Sequence, residues 1–405
     1  MSVDAKTLET LFLPKTIRAQ AQRIYNAALA GATHFDIHED KLEATADYVL
    51  EIIKQNYPSL EVPYHSRWRH YEVGNRFQLN SYFATTESFF PIEKAKTGLD
   101  LIIPSVLVDA GAGEHWKYKS ANTVTIGRSE GLGLASMDAF LAGAFSDPSP
   151  QTGRPNTCAA GLKALSSTAF KEFFQVSDEN PLAGVEGRLT LLWNLAETLE
   201  SKPEFFPNQR PGDLVDYLLN TYDDEIHAVD VLTTVLQALG DLWPGRLTLN
   251  DRNLGDTWAY QPFGEGFDAL VPFHKLSQWI TYSVIETLEM SEITVTHVEQ
   301  LTGLAEYRNG GLMLDSGLIR LRNPALAENM WLPASEIIIE WRALTIHLLD
   351  KLAALICQKL GKTEEEFPLA KVLEGGTWAA GRALAKLRDA NMNPPLNIVS
   401  DGTVF

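Results

Sequence analysis

The chain has 405 residues, of which 45% are hydrophobic and 21% are charged, and its formal net charge is −18. This length allows one large or two ordinary domains with a sizeable core, and the negative charge disfavours a nucleic-acid polymer or an anionic membrane as partner. Two cysteines, Cys158 and Cys357, exclude a disulfide framework and a cysteine zinc site. Because no apolar run is long enough to span a bilayer and the amino terminus lacks a signal-peptide pattern, we expect a cytoplasmic protein.

Apolar residues at helical spacing dominate the chain, so the sequence predicts a mainly α fold with a few short strands. We expect one strand hairpin over 313–321. The longest helix should begin after the cap residue Ser335 and end at Gly361. The helices are predicted over 15–31, 36–55, 131–145, 158–174, 185–200, 211–222, 226–242, 274–290, 295–301, 335–360 and 377–388.

The domain organisation follows from the same pattern. We predict a single large helical domain over 1–405, and the turn-rich stretch 146–157 is the best candidate for a boundary within it. The chain has no βαβ alternation, GxGxxG, Walker A or HExxH motif, which disfavours a dinucleotide oxidoreductase, a P-loop NTPase and a zincin. No set of His, Asp and Glu has metal-ligand spacing, so we expect neither a tightly bound metal nor a cofactor.

Asp109 is the first candidate for a reactive group. It follows the apolar run 102–108 and precedes small residues, so it is expected at a buried rim where backbone can approach a ligand. The alternative is a cap at the end of a buried strand. Trp116, Arg128 and Glu130 follow closely and are expected to form one wall of the same pocket.

Two other segments combine cations with aromatic or polar side chains. In the loop 65–71, Arg67 and Arg69 flank Trp68, which suits an anion or aromatic site, although a solvated surface cluster is the alternative. The helix after Pro272 should carry polar side chains along one face. These side chains would bind polar atoms of a ligand or, as the alternative, form hydrogen bonds within the core. Its candidate binding residues are His274, Lys275, Gln278 and Trp279.

The carboxyl-terminal third adds further candidates. Arg308 lies in an Arg-Asn-Gly-Gly sequence, which is typical of an anion-binding turn or of an ordinary hairpin turn. Glu340 has apolar neighbours, so it should either pair with an arginine such as Arg342 or have a raised pKa. The stretch 373–382 is expected to begin a helix at Thr377, where free backbone N–H groups attract anions.

Long motifs give the chain a family resemblance. The segments HSRWRHYEVG, SVLVDAGAGEHWKY, GRSEGLGLAS, FQVSDENPLAGVEGR, VPFHKLSQWITYS, LTGLAEYRNGGL, EWRALTIHLLD and LEGGTWAAGR resemble the family of uracil catabolism protein 4, in order and over nearly the whole chain. The resemblance implies a non-reductive route of pyrimidine degradation, in which a cyclohydrolase-like enzyme opens the ring. It also implies a ribosylurea substrate, with or without a 5′-phosphate, that is split into urea and ribose or ribose phosphate. The helical character is similar to that of queuosine-nucleotide N-glycosidases, which is an analogy of fold alone.

Cleavage of an N-ribosidic bond needs a carboxylate near the sugar. On this interpretation Asp109 is the first choice as catalytic residue, with Glu340 and Glu130 as alternates. The candidate substrate-binding residues are Arg67, Trp68, Arg69, Trp116, Arg128, His274, Lys275, Gln278, Trp279, Arg308 and Arg342. The alternatives are an amidohydrolase of the ureido group and a non-catalytic partner of the ring-opening enzyme. The sequence leaves open the phosphorylation state of the substrate and whether the chain forms a homo-oligomer.

Overall fold

A computed structural model describes residues 4–72, 91–109, 112–113, 115–120, 125–149, 155–222, 225–243 and 246–399. The fold is mainly α, as predicted. The chain forms two compact units from segments that alternate along the sequence. The first unit contains Met1–His65, Trp243–Trp279 and His297–Phe405, and the second contains Ser66–Leu242 and Ile280–Thr296. The stretch 146–157 therefore lies inside the second unit, and the single-domain organisation stays a prediction.

Helices of very different lengths make up most of the described residues. In chain order they are α1 (Ala5–Glu9), α2 (Pro14–Leu29), α3 (Leu42–Asn56), α4 (Trp68–Tyr71), α5 (Pro91–Leu107), α6 (Arg128–Leu141), α7 (Ala159–Ala164), α8 (Ser167–Phe173), α9 (Val185–Ser201), α10 (Asp213–Thr221), α11 (Ala228–Leu239), α12 (Lys275–Glu289), α13 (Tyr307–Asp315), α14 (Glu336–Leu360), α15 (Leu369–Val372) and α16 (Trp378–Arg388).

Short strands pair in twos throughout the described part of the chain. They are β1 (Phe35–Ile37), β2 (Lys117–Lys119), β3 (Thr125–Gly127), β4 (Ile226–His227), β5 (Thr248–Leu249), β6 (Arg252–Asn253), β7 (Thr257–Ala259), β8 (Leu270–Pro272), β9 (Val295–Thr296), β10 (Ile319–Leu321), β11 (Met330–Trp331) and β12 (Asn397–Ile398). The pairs β1–β10, β2–β3, β5–β6 and β7–β8 are antiparallel, whereas β4–β9 and β11–β12 are parallel.

The first unit is built around α14, which packs against α2, α3 and α13. Every residue over 337–346 is buried, so this part of the helix is covered on all sides. Ser335 stands at the N-cap position, and Gly361 ends the helix in the left-handed region, with a φ of 65° that glycine adopts without strain. Both ends agree with the prediction.

The second unit is organised around α5, which packs against α6, α9 and α10. Its carboxyl-terminal half, 97–107, is buried throughout. The apolar run before Asp109 is therefore helical, and the alternative of a buried strand is wrong. A helix buried on all sides has the same continuous apolar pattern as a buried strand, so periodicity alone does not separate them.

Four local predictions are wrong for reasons of tertiary structure. The hairpin over 313–321 is instead the end of α13 followed by β10, whose partner is the distant β1. The Asn-Gly sequence lies within α13, where Gly310 lets the Trp341 side chain approach; a Cβ there would lie 2.7 Å from it. A π-helical segment, Leu373–Thr377, connects α15 to α16, so Thr377 does not begin a helix with free N–H groups. The stretch 295–301 contains β9 and a 3₁₀ turn.

The described helices give no membrane-spanning candidate, since none of them is both long and apolar enough to cross a bilayer. The likeness to the helical N-glycosylase fold stays a prediction.

Candidate functional site

Asp109 lies at the centre of a buried polar group in the second unit, here called the Asp109 cluster and consisting of Arg67, Ser105, Asp109, Ser129 and Arg188. The Asp109 Oδ1 atom lies 2.9 Å from Nη1 of Arg67. The hydroxyl of Ser129 donates to Oδ2. The Asp109 side chain is only 10% exposed. The carboxylate is thus fixed in orientation by a cation on one oxygen and a hydroxyl on the other.

Arg67 enters the cluster from the residue before α4, and its side chain is completely buried. Its Nε donates to Oγ of Ser105 at 2.8 Å, and its Nη1 also donates to the carbonyl of Ser129 at 3.3 Å. A glycine on α6 makes this approach possible, because a Cβ at Gly133 would lie 2.8 Å from the Cβ of His70. The small residue therefore lets α4 pack closely enough to bring Arg67 to Asp109.

The electrostatic balance of the cluster is set by burial and by two guanidinium groups. Burial raises the pKa of Asp109 above its ordinary value, while Arg67, Ser129 and Arg188 oppose that rise. Burial also lowers the pKa of Arg188 to about 10. The Nε of Arg188 donates to the carbonyl of Val108 at 2.8 Å. Because little water screens a desolvated carboxylate, its attraction for a positive charge that develops on a bound ligand is strong.

The predicted wall of the Asp109 pocket is partly brought together. Trp116 is buried and donates its indole N–H to the carbonyl of Phe174 at 2.9 Å. A Cβ at Gly131 on α6 would lie 3.0 Å from its ring, so the start of α6 packs on Trp116. Arg128 and Glu130 flank Ser129 in the first turn of α6, where Arg128 is exposed and has a left-handed φ of 57°. Glu114 lies outside the described residues.

Trp68 and Arg69 both have structural partners in the second unit. The indole of Trp68 donates to Oγ1 of Thr287 at 2.9 Å. Arg69 pairs with Glu286 and, at 2.9 Å, with Glu72. A phosphate bound by Arg69 would therefore have to replace an existing ion pair.

A second, partly buried group lies in the first unit and is here called the Glu306 cluster, consisting of His65, Lys275 and Glu306. Glu306 caps α13 and accepts from the backbone N–H groups of Arg308 and Asn309, both at 2.6 Å. Burial raises its pKa, while these N–H groups and the charges of Lys275 and His65 oppose the rise. The sequence analysis missed Glu306 because glutamate is not a preferred N-cap residue and its burial depends on tertiary packing.

The next predicted binding residues lie at the start of α12 and, in the case of Arg308, on α13. The ring of His274 is buried, with Nε2 3.0 Å from the carbonyl of Leu11, and burial lowers its pKa. Gln278 and Trp279 are also buried, at 0% and 8% exposure. Arg308 donates from Nη1 to the carbonyl of Met392 at 2.9 Å, and its guanidinium lies 4.7 Å from the ring of Tyr307.

Glu340 and Arg342 do not pair with each other, so of the two alternatives for Glu340 the pairing with Arg342 is wrong. Glu340 accepts from the hydroxyl of Tyr260 and from the backbone N–H of His34, both at 2.8 Å. Arg342 instead binds both oxygens of Asp256 at 2.7 Å and donates from Nε to the carbonyl of Ala305 at 3.2 Å. Both side chains serve the packing of α14, which leaves Asp109 as the stronger catalytic candidate.

The Asp256–Arg342 ion pair should make the free energy of unfolding depend on pH in the acid range. Burial by itself would raise the pKa of Asp256, but the charge and hydrogen bonds of Arg342 outweigh it and lower the pKa from 3.8 to about 2. A carboxyl with a depressed folded-state pKa stabilises the fold above its unfolded pKa, and this contribution is lost as the pH falls through the folded pKa. We expect Asp256 to contribute about 2 kcal/mol above about pH 4, lost between about pH 4 and 2.

Urea denaturation of the wild type and an Asp256→Asn variant tests this expectation. The difference in free energy of unfolding should shrink by about 2 kcal/mol between about pH 5 and about pH 2. A difference that does not change with pH would contradict the depressed pKa of Asp256.

Comparisons with known proteins identify the family. The family model described as "Protein of unknown function (DUF1688)" matches residues 10–405. The chain is 37% identical over 413 aligned residues to "Protein urg3" of Schizosaccharomyces pombe, covering 100% of both. It is 36% identical over 410 residues to "Uracil catabolism protein 4" of Lachancea kluyveri, covering 92% of each. The chain belongs to this family, which confirms the resemblance seen in the sequence motifs.

Proposed function

We propose that this chain is a hydrolase of uracil catabolism that cleaves the N-ribosidic bond of ribosylurea or its 5′-phosphate. The place in uracil catabolism is supported by the name of the Lachancea kluyveri relative and by the extent of the match. The products would be urea and ribose or ribose 5-phosphate. The observation that carries the proposed chemistry is the buried Asp109 carboxylate, oriented by Arg67 and Ser129.

In the proposed reaction, the bond between the ureido nitrogen and C1′ breaks and positive charge develops on the sugar. The Asp109 carboxylate stabilises that charge and directs a water molecule to C1′. The oxygen of water joins C1′, and its protons are divided between the ribose hydroxyl and the leaving nitrogen, which gives urea. Arg67 favours the ionised carboxylate and so opposes the rise in the pKa of Asp109 that burial causes, because protonation would leave the guanidinium without a counterion.

The neighbouring side chains suit this chemistry. Ser129 holds the second carboxylate oxygen, so the group does not rotate away from the sugar. Trp116 is buried against the start of α6, the helix that carries Ser129. In our proposal this packing helps to exclude water from the cluster, which would strengthen the electrostatic interaction with a developing cation. Glu130, one residue after Ser129 and only half-buried, stays an alternate for the catalytic carboxylate.

The test is incubation of the purified protein with ribosylurea and, separately, with its 5′-phosphate, followed by NMR. We expect urea together with ribose or ribose 5-phosphate in equal amounts. N-methylurea is the matched control, because it carries the ureido group but no ribosidic bond and should remain intact. Release of ammonia and bicarbonate from ribosylurea and from N-methylurea would instead identify a ureido amidohydrolase. Unchanged ribosylurea and unchanged phosphate ester would contradict the proposal and favour a non-catalytic partner.

A further inference from the structure

Gln278 is a fully buried carboxamide with unused hydrogen-bonding capacity. It lies one turn into α12 and is 0% exposed. Neither Nε2 nor Oε1 has a hydrogen-bond partner in the part of the chain that the structure describes. Burying a donor and an acceptor unpaired is costly, and folded proteins rarely tolerate it without a reason. A ligand that supplies both partners is such a reason.

The first unit contains other polar groups besides Gln278. Lys275 precedes it by three residues, so the two side chains lie on the same face of α12. The charge of Lys275 acts on the buried carboxylate of Glu306. Asn309, which donates its backbone N–H to Glu306, has a buried Oδ1 that also lacks a partner among the described residues. Asn309 is thus a second residue of the first unit with a buried, unpaired acceptor.

The kind of ligand follows from the geometry of a carboxamide. The N–H and the C=O of a carboxamide lie side by side and point in the same direction. A ligand pairs with both when it has a C=O group to accept from the N–H and an adjacent N–H group to donate to the C=O. A phosphate or carboxylate would pair only with the N–H, and a cation only with the oxygen. A ureido group and the imide edge of an intact pyrimidine both pair with the two atoms at once.

We propose that Gln278 recognises a neutral ureido or imide group through paired hydrogen bonds, in a binding site of the first unit on the face of α12 that also carries Lys275. The proposed function enters only in the choice of a ureide as the biological ligand. The binding chemistry itself is independent of which carboxylate cleaves the ribosidic bond.

The experiment is a titration of the full chain with N-methylurea as the ureide and with uracil as the imide, followed by NMR at equilibrium. Gln278→Met keeps the size of the side chain and removes both polar atoms. We expect it to weaken binding of the preferred ligand by about tenfold or more, since two hydrogen bonds are lost. We also expect the ligand-free variant to melt at a higher temperature than the wild type, because two unpaired polar atoms no longer have to be buried.

Gln20→Met is the matched control in the same unit, because Gln20 is also buried but its Oε1 accepts from Arg23 at 2.8 Å. This control should melt lower and bind normally. Gln278→Asn is a second variant, which keeps the amide but withdraws it by one methylene, and it should also bind weakly. The ligand that binds the wild type more tightly identifies the ureide or the imide as the group recognised.

Binding that is unchanged in both Gln278 variants would overturn the proposal, as would a wild type that binds neither compound. Binding of N-methylurea that depends on Gln278, in a protein that leaves ribosylurea intact, would uphold this inference and contradict the proposed hydrolysis. The two claims therefore fail separately.

Discussion

An Asp109→Asn variant is expected to lose hydrolysis of ribosylurea by about a thousandfold while it keeps its fold. Asparagine preserves the shape of the side chain and one acceptor oxygen, but it replaces the other oxygen with an NH₂ group and removes the negative charge that the oxocarbenium-like transition state needs. The measurement is the rate of urea release, with circular dichroism and urea denaturation in parallel because Arg67 loses its counterion.

Asp138→Asn is the matched control for this prediction. Asp138 lies in the same unit on α6, and its Oδ2 accepts from the hydroxyl of Tyr118 at 2.7 Å. It is not part of the Asp109 cluster, so its variant should keep nearly all activity. Formate should partly restore an Asp109→Ala variant, since the small anion replaces the missing carboxylate. A folded Asp109→Asn variant with near-normal turnover would remove Asp109 from the catalytic role.

An Arg342→Ala variant is expected to lose about 3–5 kcal/mol of unfolding free energy, the typical cost of breaking a buried ion pair from one side. Arg342 is buried at 1% exposure, and its removal leaves Asp256 without the cation that binds both of its oxygens. The effect reaches α12, because Asp256 also accepts from the backbone N–H of Lys275 at 3.0 Å. Urea denaturation measures the loss.

Arg322→Ala provides the comparison in the same unit. Arg322 pairs with Asp36 at 2.6 Å, but both side chains are largely exposed, at 39% and 49%. Exposed pairs contribute about 0–1 kcal/mol, so this variant should be nearly as stable as the wild type. Equal losses in the two variants would contradict a special structural role for the Asp256–Arg342 pair.

The sequence predicts the helices and their ends correctly where the local spacing of apolar and cap residues agrees with the tertiary packing. The mainly α fold and both ends of α14 follow from apolar spacing, from Ser335 at the N-cap position and from the left-handed Gly361. Prediction from the local pattern is wrong where contact with a distant segment determines the secondary structure. Gly310 looked like a turn residue, but Trp341 of α14 packs against it within a helix. Strand β10 needed β1, which lies far away in the sequence.

In the candidate sites, too, the sequence indicates the residues but not the contacts between distant segments. Arg67, Asp109 and Trp116 stood out as residue types, and the structure gives each a buried position in the second unit. Their partners could not be read from the sequence, because an ion pair between Arg67 and Asp109 depends on how α4 packs on α6. The pairing of Arg342 with Asp256 rather than Glu340 likewise depends on the loop that precedes β7.

The most direct test of the central claim is a single-turnover reaction with ribosylurea labelled with ¹³C at the ureido carbonyl and the protein in excess. The account predicts that the label appears in urea with the wild type and with Asp138→Asn, and that it stays in ribosylurea with Asp109→Asn. Label in bicarbonate, or urea release by Asp109→Asn as fast as by the wild type, would contradict it.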